Sequence, residues 1–164
     1  MHKSGRIKFD LFSQLSYNGG IPNKELIPVD FQKLMEYRNT HGSFYQRMGI
    51  FIEEIGPGYA RVTKTVTAED LNPLDVPHGG VYFTMADTAC GSAMSSHGHV
   101  AVTANASYNF FRGAQVGDRL TAEAREVKTG KTLCVYDARV TDQDGTLLGT
   151  GSFTFYQLEQ PLEF

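Results

Sequence analysis

From Val102 to Phe110 the chain alternates without a break, apolar at even positions and polar at odd ones, which is the period of a half-buried strand. Three more β-rich runs follow: Arg119–Val127, Thr132–Thr141 and Leu147–Tyr156. Lys128-Thr129-Gly130-Lys131 and Asp142-Gln143-Asp144-Gly145 separate them and have the composition of hairpin turns. Two earlier runs, Met48–Ile55 and Tyr59–Thr67, are split by Gly56-Pro57-Gly58, which predicts another hairpin. Between the two groups, roughly Gly79 to Ser96, the pattern is helical. Its apolar residues fall on more than one side, with Tyr82, Ala86, Ala89 and Ala93 in one set and Phe83, Cys90 and Met94 in another, so surrounding structure should wrap it. Gly91 and Ser92, with the alanines, would let a sheet approach closely, and Gly98 supplies a stop. Two strands, one long helix and four strands joined by short links require a mainly antiparallel sheet. The fold class is α+β, a curved antiparallel sheet wrapped around one long central helix. The polar parity of the alternating strand, Thr103, Asn105, Ser107 and Asn109, either faces solvent or presents Thr103 to a site.

Residues 1–29 contain Asn18, Gly19, Gly20, Pro22 and Pro28, show no period, and read as an extension that crosses the surface or is partly disordered. Asp30 has the position of an N-cap for a short helix to about Thr40, with Phe31, Leu34 and Met35 on one side. The division is therefore an N-terminal extension, 1–45, a main domain, 46–157, and a tail, 158–164. A chain of 164 residues suits one core, and 41% hydrophobic with 20% charged residues is ordinary for a soluble protein. A net charge of −3 argues against a nucleic-acid partner. No run approaches the roughly 20 apolar residues of a membrane span, and the start, MHKSGRIKFDLFSQ, has no signal-peptide core. Cys90 and Cys134 are too few for a disulfide framework, so the expected setting is the reducing cytoplasm.

The chemistry concentrates in Leu71–Asp87, LNPLDVPHGGVYFTMAD. Gly79 and Gly80 open the helix, where unsatisfied backbone N–H groups can receive negative charge. Asp87 sits eight residues beyond Gly79 among positions expected to be buried, an expensive place for a carboxylate that nothing uses. A carboxylate with anion-receptive amides is the equipment of an acyl-transfer site. Asp87 and His97 are ten residues apart on one helix, about 15 Å along its axis, and cannot share an ion within one chain. No recognised zinc spacing is present, and Ser92, Ser95 and Ser96 lack a nucleophile elbow.

Asn72-(x5)-His78-Gly79-Gly80, followed by Phe83-Thr84-Met85-Ala86-Asp87-Thr88-Ala89, resembles the motif of the PaaI-like hot-dog-fold acyl-CoA thioesterases. The likeness extends over about residues 46–157. It implies a hydrolase that splits an acyl- or aryl-acyl-CoA thioester, acting as a homodimer or dimer of dimers, with no metal or redox cofactor and coenzyme A present only as part of the substrate. Carried over, Asp87 is the catalytic nucleophile or general base, the Gly79 amide polarises the carbonyl, Asn72 places water or substrate, and Thr103 holds a position where relatives carry a hydroxyl. His78 and Gly80 belong to the motif, His78 in a structural role. Phe83 and Met94, with Tyr82 and Met85, are candidates for an apolar acyl pocket, and Arg112, Lys128 and Lys131 for the coenzyme A phosphates. The alternative is a non-catalytic hot-dog domain that binds or senses an acyl-CoA; it would not need Asp87.

Overall fold

The computed structural model describes residues 28–164. Residues 1–27 of the expected N-terminal extension therefore lie outside the described residues. Six strands form one sheet: β1 (Phe51–Gly56), β2 (Tyr59–Thr65), β3 (His99–Phe110), β4 (Arg119–Thr129), β5 (Leu133–Thr141) and β6 (Leu147–Pro161). Their order is β1-β2-β4-β5-β6-β3, and every pairing is antiparallel. The long helix α3 (Gly79–Ser95) packs on all six strands, as its several apolar sides require. Met85, Ala86, Ala89, Cys90 and Ala93 are fully buried, and opposite them lie Ala60, Val62, Leu120, Ala122, Ala124, Tyr136 and Phe153. Alanines on three adjacent strands let the sheet curve close over the helix.

Helix α1 (Phe31–His41) starts as expected, with Asp30 accepting a hydrogen bond from the Lys33 N–H at 3.0 Å. Leu34 is fully buried in the common core, and Asn39 bonds in both directions to the backbone of Ile52 on β1. Helix α1 is thus packed onto the sheet. A short helix that the sequence pattern does not predict, α2 (Ser43–Arg47), links α1 to β1. Strand β6 runs five residues past the expected Tyr156 because it continues to pair with β3 as far as His99–Pro161. Phe164 then packs against Tyr37 of α1.

Strand β3 departs from its alternating pattern at one point. Thr103 pairs with Phe155 and Asn105 with Thr154, so Ala104 is an extra residue in a bulge. Past the bulge, Tyr108 and Phe110 turn towards α3, where Tyr108 meets Phe83 and Phe110 meets Tyr82. Before it, the parity is reversed, and Thr103 faces α3 as well.

Candidate active site

The loop from Leu71 to His78 sets the start of α3. Asp70 forms a buried ion pair with Lys64 at 3.0 Å, and its carbonyl accepts from the His78 N–H at 2.8 Å. Asn72 closes the loop as an Asx turn, its Oδ1 accepting from Leu74 N–H at 2.8 Å while its N–H reaches the Val76 carbonyl. Its side chain shapes the loop and does not line the cavity described below. His78 is the N-cap of α3, and its Nδ1 accepts from the Gly80 N–H at 2.9 Å. That satisfies one of the orphan donors of the first turn. The Gly79 N–H has no acceptor among the described residues and points from the positive end of a seventeen-residue helix. A Cβ on Gly79 would come within 3.1 Å of the Phe110 ring.

Asp87, two turns further on, lies at the wall of a cavity of about 510 Å³. Thr103 donates its hydroxyl hydrogen bond to Asp87 Oδ1 at 2.8 Å across from the bulge on β3. Burial pushes the Asp87 carboxyl above the usual carboxylate range, against the Thr103 hydrogen bond and the nearby Arg38 charge, which both favour the ion. Oδ2 keeps no hydrogen-bond partner among the described residues and is the oxygen left for chemistry. Phe83 and Met94 line the same cavity. Tyr82 and Met85 do not: Met85 is fully buried in the core, and Tyr82 Oη accepts from the Ala114 N–H at 2.8 Å. The helical rotation that aims Phe83 outwards turns its neighbours in.

Gly79, Gly80 and His78 do not reach this cavity from their own chain. The three basic candidates also divide. Arg112 follows Phe110 at the Gly79 end of the sheet, its N–H bonded to the Leu148 carbonyl at 3.2 Å. Lys128 and Lys131 stand exposed at the opposite end, beside Thr129, whose row runs through Cys134 and Phe155 to Thr103.

The sequence reading missed Arg38 and Tyr45. Both line the cavity, brought there by α1 and α2. A signal for Arg38 did exist: Phe31, Leu34, Met35 and Arg38 fall at i, i+3, i+4 and i+7, so the guanidinium occupies the apolar stripe of its helix. Cys90, one turn from Asp87, is fully buried and its thiol is pushed up by burial, which makes it a packing residue. His97 is bonded to Glu126 at 2.6 Å and stands apart from the cavity lining.

Known proteins with this arrangement agree on one family. Residues 75–148 match the family model described as the thioesterase superfamily. A putative esterase of Archaeoglobus fulgidus is 30% identical over 79% of this chain and 84% of its own length. The acyl-coenzyme A thioesterase PaaI of Escherichia coli is 38% identical over 65% of this chain and 80% of its own. The PaaI structure superposes with a TM-score of 0.71 at 31% identity, covering 79% of this chain and 99% of PaaI. A hypothetical thioesterase of Streptococcus pneumoniae, solved with coenzyme A, gives a TM-score of 0.71 at 29% identity over 76% and 98%. Structures of that protein with an aspartate and, separately, a threonine changed to alanine are also known; the two positions are 16 residues apart, the spacing of Asp87 and Thr103. The chain belongs to the PaaI-like thioesterases, a family of thioester hydrolases on the hot-dog fold.

Proposed function

We propose that the protein hydrolyses an acyl- or aryl-acyl-CoA thioester to the free acid and coenzyme A, with Asp87 as nucleophile or general base. The observation that carries this reading is the Asp87–Thr103 pair, a carboxylate with one oxygen held and the other open, at the wall of a cavity that both apolar and polar side chains line. Water supplies the hydroxyl that replaces the thiolate, the C–S bond breaks, and the proton taken up by Asp87 returns to the leaving sulfur. The free Gly79 N–H at the helix N-terminus receives the charge that develops on the carbonyl oxygen. His78 and Gly80 shape that helix start, Asn72 holds its loop, and Arg112, Lys128 and Lys131 supply cations for the coenzyme A phosphates. No cofactor beyond the substrate's own coenzyme A is required.

The reading includes a second copy of the chain, as a homodimer or dimer of dimers. Strand β3 is a sheet edge of twelve residues, and Phe83, Phe110 and Phe111 stand exposed along it at 37%, 57% and 57%. A long open edge flanked by exposed aromatic rings is a pairing template. Two buried cysteines, Cys90 and Cys134, suit a reducing compartment, and the proposed location is the cytoplasm. Release of free thiol from short, medium and aromatic acyl-CoAs tests the activity; a chain that hydrolyses none of them is not this enzyme.

Two outcomes follow locally. In Gly79→Ala, the added methyl crowds Phe110 and the approach to the amide but leaves the N–H in place. The expected loss of turnover is about tenfold, smaller than the 10²–10³ for deleting an oxyanion donor. Unchanged kcat in a folded Gly79→Ala would show that the glycine only shapes the loop. The second concerns pH. Rate should rise with pH as Asp87 ionises, with its midpoint above the ordinary aspartate value of about 4. Thr103→Val removes a hydrogen bond that favours the ion, so the acid limb should move to higher pH. An acid limb that stays put, or moves down, separates Thr103 from the Asp87 titration.

A further inference from the structure

Arg38 is a charged group whose position the fold alone does not explain. Its pocket-facing surface is open to the cavity, yet protein encloses the guanidinium so closely that burial lowers its pKa; it remains a cation at neutral pH. Nη1 donates to Ser95 Oγ at 2.9 Å. Nε is enclosed without a hydrogen-bond partner among the described residues. Nη2 lies beside Gly91, 3.6 Å from where a Cβ on that residue would stand, an ordinary contact distance. Among the described residues no carboxylate oxygen comes within 4.0 Å of any Arg38 nitrogen, and Asp87 acts on it only at longer range.

A buried cation without an ion-pair partner is costly, and such groups are found paired or bound to a ligand. With Nη1 donating to Ser95 and Nε enclosed, Nη2 is the guanidinium nitrogen left to donate to a ligand. A guanidinium N–H donating to a carboxylate oxygen is a charge-assisted hydrogen bond, about twice as strong as a neutral one. The place of the guanidinium along α3 is fixed by Gly91 and Ser95, one and two turns past Asp87, or about 6–12 Å along the axis. A thioester carbonyl held at Asp87 would reach it through an acyl chain of about four to six carbons.

We propose that Arg38 binds the far end of the acyl group and that the preferred substrates are coenzyme A thioesters whose acyl chain ends in a carboxylate. This rests on the assignment of Asp87 as the reacting carboxylate. Phe83 and Met94 flank the methylenes, and Ser95 holds the guanidinium in register.

The test compares adipyl-CoA with hexanoyl-CoA, which are equal in length and differ in a terminal carboxylate against a methyl group. The wild-type protein should favour adipyl-CoA in kcat/KM by about 10- to 100-fold, the range of a charge-assisted pair. Arg38→Gln should bring that ratio to about one or below. Arg38→Lys, which keeps the charge on a group of different shape, should fall between. A residue needed only for folding, or only for tuning Asp87, lowers both rates together and leaves the ratio where it was; that result overturns the proposal. So does a wild-type preference for hexanoyl-CoA, which needs no variant to measure and leaves the Asp87 assignment standing. Hydrolysis of neither thioester overturns this inference alone, whereas hydrolysis of adipyl-CoA by Asp87→Asn at the parent rate overturns the Asp87 assignment and this inference with it.

Discussion

Asp87→Asn should lower thioester hydrolysis by at least about 100-fold while substrate still binds. A positioned base is worth about 10²–10⁴-fold and a nucleophile at least as much. The substitution keeps the volume and can still accept the Thr103 hydrogen bond at 2.8 Å, so the cavity wall should survive. Stability gives an independent check on the same variant. Burial raises the folded-state pKa of Asp87 above its unfolded value, so the ionised form is less welcome in the folded protein. At pH above both values that difference costs stability, and it disappears as pH falls through the folded pKa. At neutral pH the Asn variant should therefore melt no lower than the parent. A large loss of rate with an equal or higher Tm identifies a group kept for chemistry. Near-parent turnover, with deamidation excluded by mass, shows that Asp87 does not carry the reaction. A folded variant that no longer binds substrate would instead make Asp87 a binding residue.

The parts of the site legible in the sequence are those whose geometry is local. Gly79 and Asp87 belong to one helix, and their relation follows from helical rise once the helix is recognised. His78 caps the same helix two residues from the amide it binds. The wrapped helix and antiparallel sheet follow from the several apolar sides of α3 and the short hairpin links. Thr103 shows where that reasoning stops. The unbroken alternation of Val102–Phe110 hides a bulge, because inserting Ala104 shifts the register without changing the polarity pattern. Pattern alone would put Thr103 on the face opposite Tyr108 and Phe110, whereas the bulge sets all three towards α3. Arg38 was harder still. Its arrival beside Gly91 and Ser95 depends on α1 folding over the cavity, a contact between residues 57 apart. Surface lysines and arginines are equally silent, since hairpin composition does not tell which end of a curved sheet a turn will occupy.

The largest gain of activity is expected from two inactive chains combined. Gly79 and Asp87 lie eight residues apart on α3, about 12 Å along its axis, and Gly79 does not line the Asp87 cavity. A carbonyl bound at the Gly79 amide is therefore out of the roughly 3 Å reach that a reacting carboxylate on the same chain needs. Two α3 helices running antiparallel about a two-fold axis remove the conflict, because each Gly79 then stands opposite the other chain's Asp87. The exposed β3 edge, with Phe83, Phe110 and Phe111 along it, is the surface through which such a pair would form. A two-fold operation makes two equivalent sites at once, each composed of both chains. Gly79→Val, whose side chain would press on the Phe110 ring, and Asp87→Asn should each give a nearly inactive homodimer. Co-expressed with different tags and purified through both, they form a heterodimer in which one site carries both defects and the other carries neither. Its activity should recover to about half that of the wild-type dimer. If each site were built from one chain, every site in the heterodimer would hold one defect and no activity would return. A doubly purified heterodimer no more active than its parents thus places Gly79 and Asp87 in independent roles and overturns the shared site.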